Sequence, residues 1–136
     1  MKREIKLRHW TGEEMVAVHK ITFDDDKLIV YGGGVVHFAD SSTVMPYTGL
    51  KDKNGRSIYE GDILKVTSED EESYAAIVKW FGDEGYPAFD LAGIPAAWCY
   101  ESNALSTIFE SGIETCEVIG NIFENPELLE GKHEQK

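Results

Sequence analysis

The sequence predicts an all-β protein, mainly antiparallel, with one or two short helices near its C-terminus. Short runs rich in β-branched and aromatic residues, such as MVAVHKITF and YAAIVKWF, recur along the chain. Clusters of Gly, Asn, Asp and Ser separate these runs at short intervals, which is typical of strands joined by turns. Apolar residues with helical spacing are confined to the last third of the chain.

The first third of the chain is predicted to form strands joined by tight turns. Residues 5–10 alternate with period two, which favours a strand with Lys and Arg on one face. Residues 15–23 are predicted to form a hairpin with the apolar run that follows the acidic turn 24–27. The glycine run 32–34 lacks the Lys-Ser/Thr pair of a P-loop and precedes another strand-like run, 35–38. We therefore predict a flexible or bulged connector there.

The stretch from Val44 to Val66 holds the strongest turn signals. An apolar segment is followed by the polar turn 51–55, in which Asn and Gly tolerate positive φ. A second turn, 60–62, precedes a strand that starts at Ile63. The carboxylates and amides of these turns are also ligands of hard cations, but their spacing does not fit an EF-hand loop. Turn chemistry alone explains every one of them, and we predict a rigid elbow that joins the two halves of the chain.

After Val66 the pattern predicts a small curled sheet. An acidic loop, 67–73, separates the elbow strand from a strong strand over 74–81. A tight turn leads to a strand over 86–91, and residues 94–100 are again apolar and predicted to be extended. This order is the layout of an SH3-like barrel, an identification by analogy of pattern.

The C-terminal part is predicted to add short helices and a closing strand. Ser102 or Asn103 is a candidate cap for a helix that Gly112 would end. A strand is predicted over 114–123, with Gly120 at a bulge or a close approach. Asn125 and Pro126 then favour a short helix start.

The length fits a single domain over residues 1–136. Within it we predict an N-terminal β-sheet subdomain, 1–48, packed with a barrel-like subdomain, 49–130, and a frayed tail, 131–136. There is no apolar run of membrane-spanning length, and the charged N-terminus does not predict a secretory signal.

The formal net charge of −12 is the unusual bulk property, and it is unevenly placed. Residues 67–130 contain fourteen acidic residues against one basic residue, Lys79. Such a surface repels nucleic acid and anionic membranes, so direct binding to DNA or RNA is not expected. A solvated acidic face explains the charge most simply, and mimicry of nucleic acid is the functional alternative.

Catalytic patterns are absent from the sequence. The four histidines form no zinc-binding spacing, although His19 and His37 could face each other if their strands pair. Cys99 and Cys116 are too few for a disulfide scaffold, and free buried thiols are predicted. No cofactor is predicted. Aromatic residues could fill the core or leave an exposed binding patch; the candidates are Trp10, Tyr47, Tyr59, Tyr74, Trp80, Phe81, Tyr86, Phe89, Trp98 and Tyr100.

Three blocks of this sequence carry a resemblance to a known family: Arg3–Trp10, Tyr47–Gly55 with Ile58–Ile63 behind it, and Val118–Leu128. Together they closely resemble the YopX family of phage and prophage proteins. Pro46 stands where a Gln is expected, and His9 where a small residue is expected. The resemblance spans nearly the whole chain and implies a largely β fold of phage or prophage origin. It implies no activity, because the family has no assigned catalytic residues to carry over.

Turn chemistry and the resemblance together single out twelve positions, which we call the signature residues. They are Gly49, Asp52, Asn54, Gly55, Tyr59, Glu60, Gly61, Asp62, Gly120, Asn121, Asn125 and Pro126.

The function that these observations favour is a non-enzymatic protein–protein interaction module in the cytoplasm of a bacterial host. Its expected partner is a host or phage protein, and self-association through exposed strand edges is compatible with the pattern. One alternative is an acidic mimic of nucleic acid that inhibits a host DNA-binding protein. A small metal-dependent hydrolase is the weaker alternative, supported only by scattered histidines and acids.

Overall fold

A computed structural model describes residues 5–25, 27–82, 85, 88–95, 98, 100 and 103–131. Several sequence-based expectations lie wholly or partly outside these residues. They concern the first two residues of the N-terminal block, the start of the strand predicted over 86–91, the thiol of Cys99, and the tail beyond residue 131.

The fold is mostly antiparallel β-structure in two sheets, with two short helices near the C-terminus, so the all-β prediction is confirmed. The chain divides into two compact units, Met1–Gly49 and Leu50–Lys136. We call them unit 1 and unit 2 and describe each by itself.

The described part of unit 1 contains five strands, of which the last runs on into unit 2. The strand order is β4-β3-β2-β1-β5, and the four pairings between these strands are antiparallel. A 3₁₀ turn, Ser41–Thr43, precedes the fifth strand. The strands are β1 (Leu7–Trp10), β2 (Met15–Asp24), β3 (Lys27–Gly32), β4 (Val35–Ala39) and β5 (Val44–Lys51).

The glycine run predicted as a connector forms the tight turn between β3 and β4. Gly33 and Gly34 have φ values of 64° and 80°, the left-handed region that two-residue hairpin turns require. Gly32 is paired with Val35 on either side of the turn. The irregularity lies on the other side of β3, where the register against β2 shifts between Val18 and Lys20. A bulge therefore places His19 outside the regular ladder.

The sheet of unit 1 is strongly curled. The rings of His9 on β1 and His37 on β4 are 5.3 Å apart between centroids, although β2 and β3 lie between these strands. Three strand spacings in a flat sheet would separate them by about 14 Å. Curling brings the inner faces of β1 and β4 together around the buried residues Val16, Val30 and Met45.

Unit 2 contains five strands and two helices. Its four-stranded sheet has the order β10-β7-β8-β9, and all three pairings are antiparallel. The short strand β6 follows β5 in the strand order of the other sheet. The elements are β6 (Ser57–Tyr59), β7 (Asp62–Thr67), β8 (Ser73–Trp80), β9 (Phe89–Ala92), α1 (Ala104–Ser111), β10 (Thr115–Asn121) and α2 (Glu127–Gly131).

The core of unit 2 forms where α1 packs on this sheet. Asn103 caps the helix by accepting from the amide of Ser106, and Gly112 ends it with a left-handed conformation, as predicted. Leu105 and Ile108 face the sheet. Their core neighbours include Ile58, Leu64, Val66, Tyr74, Ala76, Val78, Leu91 and Cys116.

One predicted extended segment is wrong. Of residues 94–100, the four that the structure describes lie outside any strand. The amide of Trp98 donates to the carbonyl oxygen of Pro95 at 3.0 Å, which closes a turn. The apolar side chains of this segment pack on the core without forming a ladder, and that packing produced the misleading pattern. The SH3-like barrel stays a prediction, because the described pairings form one row of four strands.

Candidate functional site

The first group of signature residues forms a turn that is organised around the carboxylate of Asp52. This side chain is only 6% exposed. Its Oδ1 atom accepts hydrogen bonds from the amides of Asn54 at 2.9 Å and Arg56 at 2.8 Å. Its Oδ2 atom accepts from the amide of Val118 on β10 at 2.9 Å. One carboxylate therefore closes the turn and fixes it to a distant strand.

The environment of Asp52 keeps it ionised. Burial raises the pKa of its carboxyl, but the amides of Val118, Arg56 and Asn54 lower it by more, so the net pKa lies below the ordinary value. The same carboxylate raises the pKa of the Cys116 thiol, which burial chiefly sets at about 11. Cys116 is thus protonated at neutral pH and is a buried free thiol rather than a nucleophile.

The Asp52 turn also covers the outer edge of β10. The amide of Lys53 donates to the carbonyl oxygen of Cys116 at 3.0 Å, and the Arg56 guanidinium donates to that of Val118 at 3.0 Å. Near this edge, Glu117 contacts Asn54 at 3.4 Å and Lys53 at 3.9 Å. A strand edge covered in this way is not available for pairing with another chain.

The second group of signature residues forms the turn between β6 and β7. The amide of Tyr59 donates to Oδ2 of Asp62 at 2.8 Å, and Asp62 is 1% exposed. Gly61 donates to the carbonyl oxygen of Val78 at 2.8 Å and accepts from the amide of Ile122 at 3.0 Å. Burial raises the pKa of Glu60, against an opposing hydrogen bond from the Trp80 main chain.

The third group lies beside the second. Asn121 pairs with Asp62 in the ladder, and its Oδ1 atom accepts from the amides of Phe123 and Glu124 at 3.0 and 2.9 Å. Gly120 leaves room for Asn125, because a Cβ on Gly120 would lie 2.6 Å from Oδ1 of Asn125. The register of β10 shifts between Val118 and Gly120, so this glycine combines a bulge with a close approach.

The structure thus brings most signature residues together on one side of unit 2, while Gly49 ends unit 1 and Pro126 precedes α2. The side-chain oxygens of Asp52, Asp62 and Asn121 accept hydrogen bonds from main-chain amides. Within the described residues, no group of three or more His, Cys, Asp and Glu side chains is placed to hold a metal ion.

Gly55→Val and Gly61→Val are each expected to lower the melting temperature, because both glycines have φ values near the left-handed region, 84° and 89°. A β-branched residue in this region costs about 1–3 kcal/mol. Nothing lies within 4 Å of a Cβ on Gly55, so the stability that Gly55→Val loses measures backbone strain alone. Thermal unfolding of the two variants tests this, with Ser57→Val as the strand control. Unchanged melting temperatures would contradict a structural role for these turns.

The condition under which His19 and His37 could face each other is not met. Their strands do not pair, because β3 lies between β2 and β4, and His19 is exposed at the bulge. His37 lies instead against His9, which is 3% exposed. The Thr43 hydroxyl donates to the carbonyl oxygen of Asp40 at 2.9 Å, so the 3.2 Å contact between Thr43 Oγ1 and His9 Nδ1 requires the hydrogen on His9. Burial is the main cause that lowers the pKa of His9.

Aromatic side chains fill the core of unit 2. The hydroxyl groups of Tyr74 and Tyr100 are 2.7 Å apart, and Tyr100 donates to Glu114 at 3.1 Å. Burial raises the pKa of both tyrosines. The Trp98 ring packs edge-on against Tyr74. Among the aromatic candidates that the structure describes, Trp80 alone is exposed.

The exposed apolar residues of unit 1 were missed by the sequence analysis. Phe23 is 80% exposed, Phe38 75% and Val36 58%. Val36 and Phe38 lie on one face of β4, and we call these two residues the β4 surface. Phe23 pairs with Leu28, which pairs with Ala39, so the register places Phe23 on the opposite face of the sheet. The available signal was the run VVHFA, which has apolar residues at both odd and even positions and no charged residue. A strand with this pattern is expected to be buried on both faces, but the face that carries Val36 and Phe38 is exposed.

The geometry defines a class of protein: two antiparallel β units whose polar signature residues hold the fold together. Comparison with known proteins then gives the family. The family model described as "YopX protein" matches residues 3–130, so the chain belongs to the YopX family. In the part of the chain that is described, no helix has the length and apolar character needed to cross a membrane.

Individual relatives agree with this assignment. The SPbeta prophage-derived uncharacterized protein YopX of Bacillus subtilis (strain 168) is 31% identical over 128 residues, covering 93% of this chain and 90% of that protein. The crystal structure of protein EF1440 from Enterococcus faecalis is similar with a TM-score of 0.58 and 27% identity, covering 94% of this chain and 99% of that one. The crystal structure of protein yopX from Bacillus subtilis gives a TM-score of 0.52 and 25% identity, covering 90% and 96%.

Proposed function

We propose that this chain is a non-enzymatic protein-binding module of phage or prophage origin that acts in the cytoplasm of a bacterial host. The observation that carries the proposal is the β4 surface, where Val36 and Phe38 are largely exposed. Exposed clusters of large apolar side chains mark interaction sites on soluble domains. Phe and other aromatic residues are also enriched at interfaces relative to the rest of a surface.

A groove beside this surface supports the proposal. It has a volume of about 550 Å³ and is lined by Phe23, Asp25, Lys27, Leu28, Phe38, Ala39 and Asp40. The groove combines an apolar floor with both signs of charge. Such a mixture suits a protein segment, which brings apolar side chains together with polar main-chain groups.

The contacts of the signature residues also favour a binding module over an enzyme. Asp52 and Asp62 are buried and accept main-chain amides. A carboxylate held in this way stabilises a turn, whereas a general acid or base must reach a substrate proton. The most distinctive residues of the sequence are therefore explained by the fold.

The test is affinity capture from a host lysate with three forms of the protein. The wild type is compared with the double variant Val36→Thr/Phe38→Ser, which makes the β4 surface polar. Ile113→Thr is the matched control, because Ile113 is 57% exposed in unit 2 and nearly equals Val36 in exposure. We expect a partner that the wild type and the control retain and that the double variant loses at least tenfold.

Two outcomes would contradict the proposal. One is that the wild type retains no partner above a blank resin. The other is capture that survives the double variant but is lost when Glu69, Asp70, Glu71 and Glu72 are changed to amides. These four exposed residues form one acidic loop, and dependence on them would favour the mimicry of nucleic acid instead.

A further inference from the structure

We propose that the β4 edge binds an extended peptide segment of a partner protein, one that alternates apolar and basic side chains, by adding it as a further strand to the sheet of unit 1. This inference rests on the proposed function and specifies the partner's chemistry. It follows from three features of the same edge: its main-chain groups, its side chains and its charges.

The main-chain groups of β4 alternate in direction. In a two-residue hairpin the residues that flank the turn, here Gly32 and Val35, exchange both of their main-chain hydrogen bonds. The next pair, Tyr31 with Val36, is then a non-hydrogen-bonded pair, and so is Ile29 with Phe38. The N–H and C=O groups of Val36 and Phe38 therefore point away from β3, toward the open edge.

These outward groups are available to a partner. Among the described residues, β4 is paired with β3 alone, and the main chains of Val36 and Phe38 make no hydrogen bond to a turn or loop on their outer side. An added strand can form four main-chain hydrogen bonds with these two residues, which is how peptides dock on exposed sheet edges.

The two edges of the four-stranded sheet in unit 2 lack this opening. In unit 2 the edge of β10 is covered by the Asp52 turn, through Lys53 and Arg56. At β9 the side chain of Asn103 donates to the carbonyl oxygen of Phe89 at 2.9 Å. Covered edges resist pairing with other chains, so β4 stands out by lacking such a cover.

The side chains at the open edge favour apolar residues in the partner. Val36 and Phe38 are two positions apart and project from the same face of β4. An added strand places its own side chains on that face directly opposite them, at cross-strand contact distance. Apolar residues at alternate positions of the partner would cover both exposed side chains.

The charges beside the edge favour basic residues in the partner. Asp25 and Asp40 line the groove where β4 ends. The one basic residue of the groove is Lys27, whose ammonium lies 5.7 Å from the centre of the Phe38 ring. Two carboxylates against one ammonium leave the groove acidic, which attracts cationic segments.

The same charges disfavour a second copy of this chain at the edge. Pairing of β4 with its own counterpart would bring in the sequence VVHFA, which contains no Lys or Arg. The carboxylates of Asp25 and Asp40 would then gain no basic side chain from the added strand. A basic and apolar segment of another protein is complementary to both parts of the edge.

The experiment uses the whole ¹⁵N-labelled protein and an eight-residue peptide with Val and Lys at alternating positions. Amide NMR spectra are recorded during titration. We expect the largest shifts at Val36 and Phe38, and saturation at a concentration at least tenfold below that of the same peptide with Glu in place of Lys. A third peptide is N-methylated at every second residue, so it cannot donate hydrogen bonds along one of its edges. This peptide is expected to produce no localised shifts.

Variants of the protein test whether peptide binding depends on the charge of the groove. The double variant Asp25→Asn/Asp40→Asn is expected to bind the Lys peptide at least fivefold more weakly than the wild type does. The Asn at position 40 retains an oxygen to accept from the amide of Ser42, as Asp40 does at 3.0 Å. Glu13→Gln/Glu14→Gln is the matched control at another exposed acidic turn and is expected to change nothing.

The outcomes distinguish this inference from the proposed function. If all three peptides bind equally or none binds, the strand-addition inference is overturned. Capture of a lysate partner that depends on Phe38 would nevertheless leave the proposed function standing. Concentration-dependent dimers that Phe38→Ser abolishes, measured by sedimentation, would place a second copy on the edge and also overturn the inference.

Discussion

Gly32→Ala is expected to lower the free energy of unfolding by about 3 kcal/mol, at the upper end of the usual cost of over-packing. A Cβ on Gly32 would overlap the carbonyl oxygen of Ala17 and lie 3.2 Å from its carbonyl carbon. Main-chain atoms of a paired strand cannot rotate away as a flexible side chain can, so β2 and β3 must separate beside the bulge. Urea denaturation followed by circular dichroism measures the loss.

Gly34→Ala is the matched control for this prediction. Gly34 lies in the same turn with a φ of 80°, but nothing lies within 4 Å of a Cβ there. Its expected cost is about 1 kcal/mol, from the left-handed backbone alone. If the two variants lose equal stability, close packing against Ala17 is not the reason for glycine at position 32.

Asp52→Ala is expected to cost about 4 kcal/mol and Asp52→Asn about 2 kcal/mol, since hydrogen bonds to a charged acceptor are strong and unpaired buried amides are costly. Alanine removes the acceptor of three amides, those of Asn54, Arg56 and Val118. Asparagine keeps one oxygen but turns an NH₂ group toward a main-chain donor. Urea denaturation of both variants against the wild type measures the difference.

Asp52 also makes a definite contribution to acid stability. Its folded pKa lies below the ordinary value of 3.8, so the unfolded chain takes up this proton at a higher pH than the folded chain. The stabilisation is therefore present above pH 3.8 and is lost as the pH falls through the folded pKa. In Asp52→Asn this part of the pH dependence should disappear.

Glu117→Gln is the control for the acid experiment. Glu117 contacts the same turn at 3.4 Å from Asn54 and 3.9 Å from Lys53, with a partly exposed side chain. Exposed ion pairs contribute little, so its stability should change by less than about 0.5 kcal/mol. If Glu117→Gln reduces the dependence of stability on acid pH as much as Asp52→Asn does, Asp52 is not the responsible group.

Local features of the fold were predictable because they depend on neighbouring residues. The hairpin from β2 to β3, the cap of Asn103 and the helix end at Gly112 follow from turn and cap chemistry within a few positions. The extended interpretation of residues 94–100 failed because apolar composition does not distinguish a strand from a loop that packs on the core.

The candidate site was predictable only in part. The sequence marks Asp52 and Asn54 as turn residues, but the bond from Val118 to Asp52 joins positions 66 residues apart. The ring of His37 meets His9 rather than His19 because the sheet of unit 1 curls, and no local pattern records that curvature. The exposure of Phe38 likewise depends on which strand lies at the edge.

The sequence by itself therefore determined the all-β class, most of the strands and turns, and the resemblance to the YopX family, since these depend on residue type and short-range order. Tertiary structure alone decided which strand edges are covered and which remains open. Strand order is set by the burial of whole faces and by contacts between distant residues, such as those of Asp52 with β10. The open edge of β4, on which the inference of strand addition rests, is a product of that order.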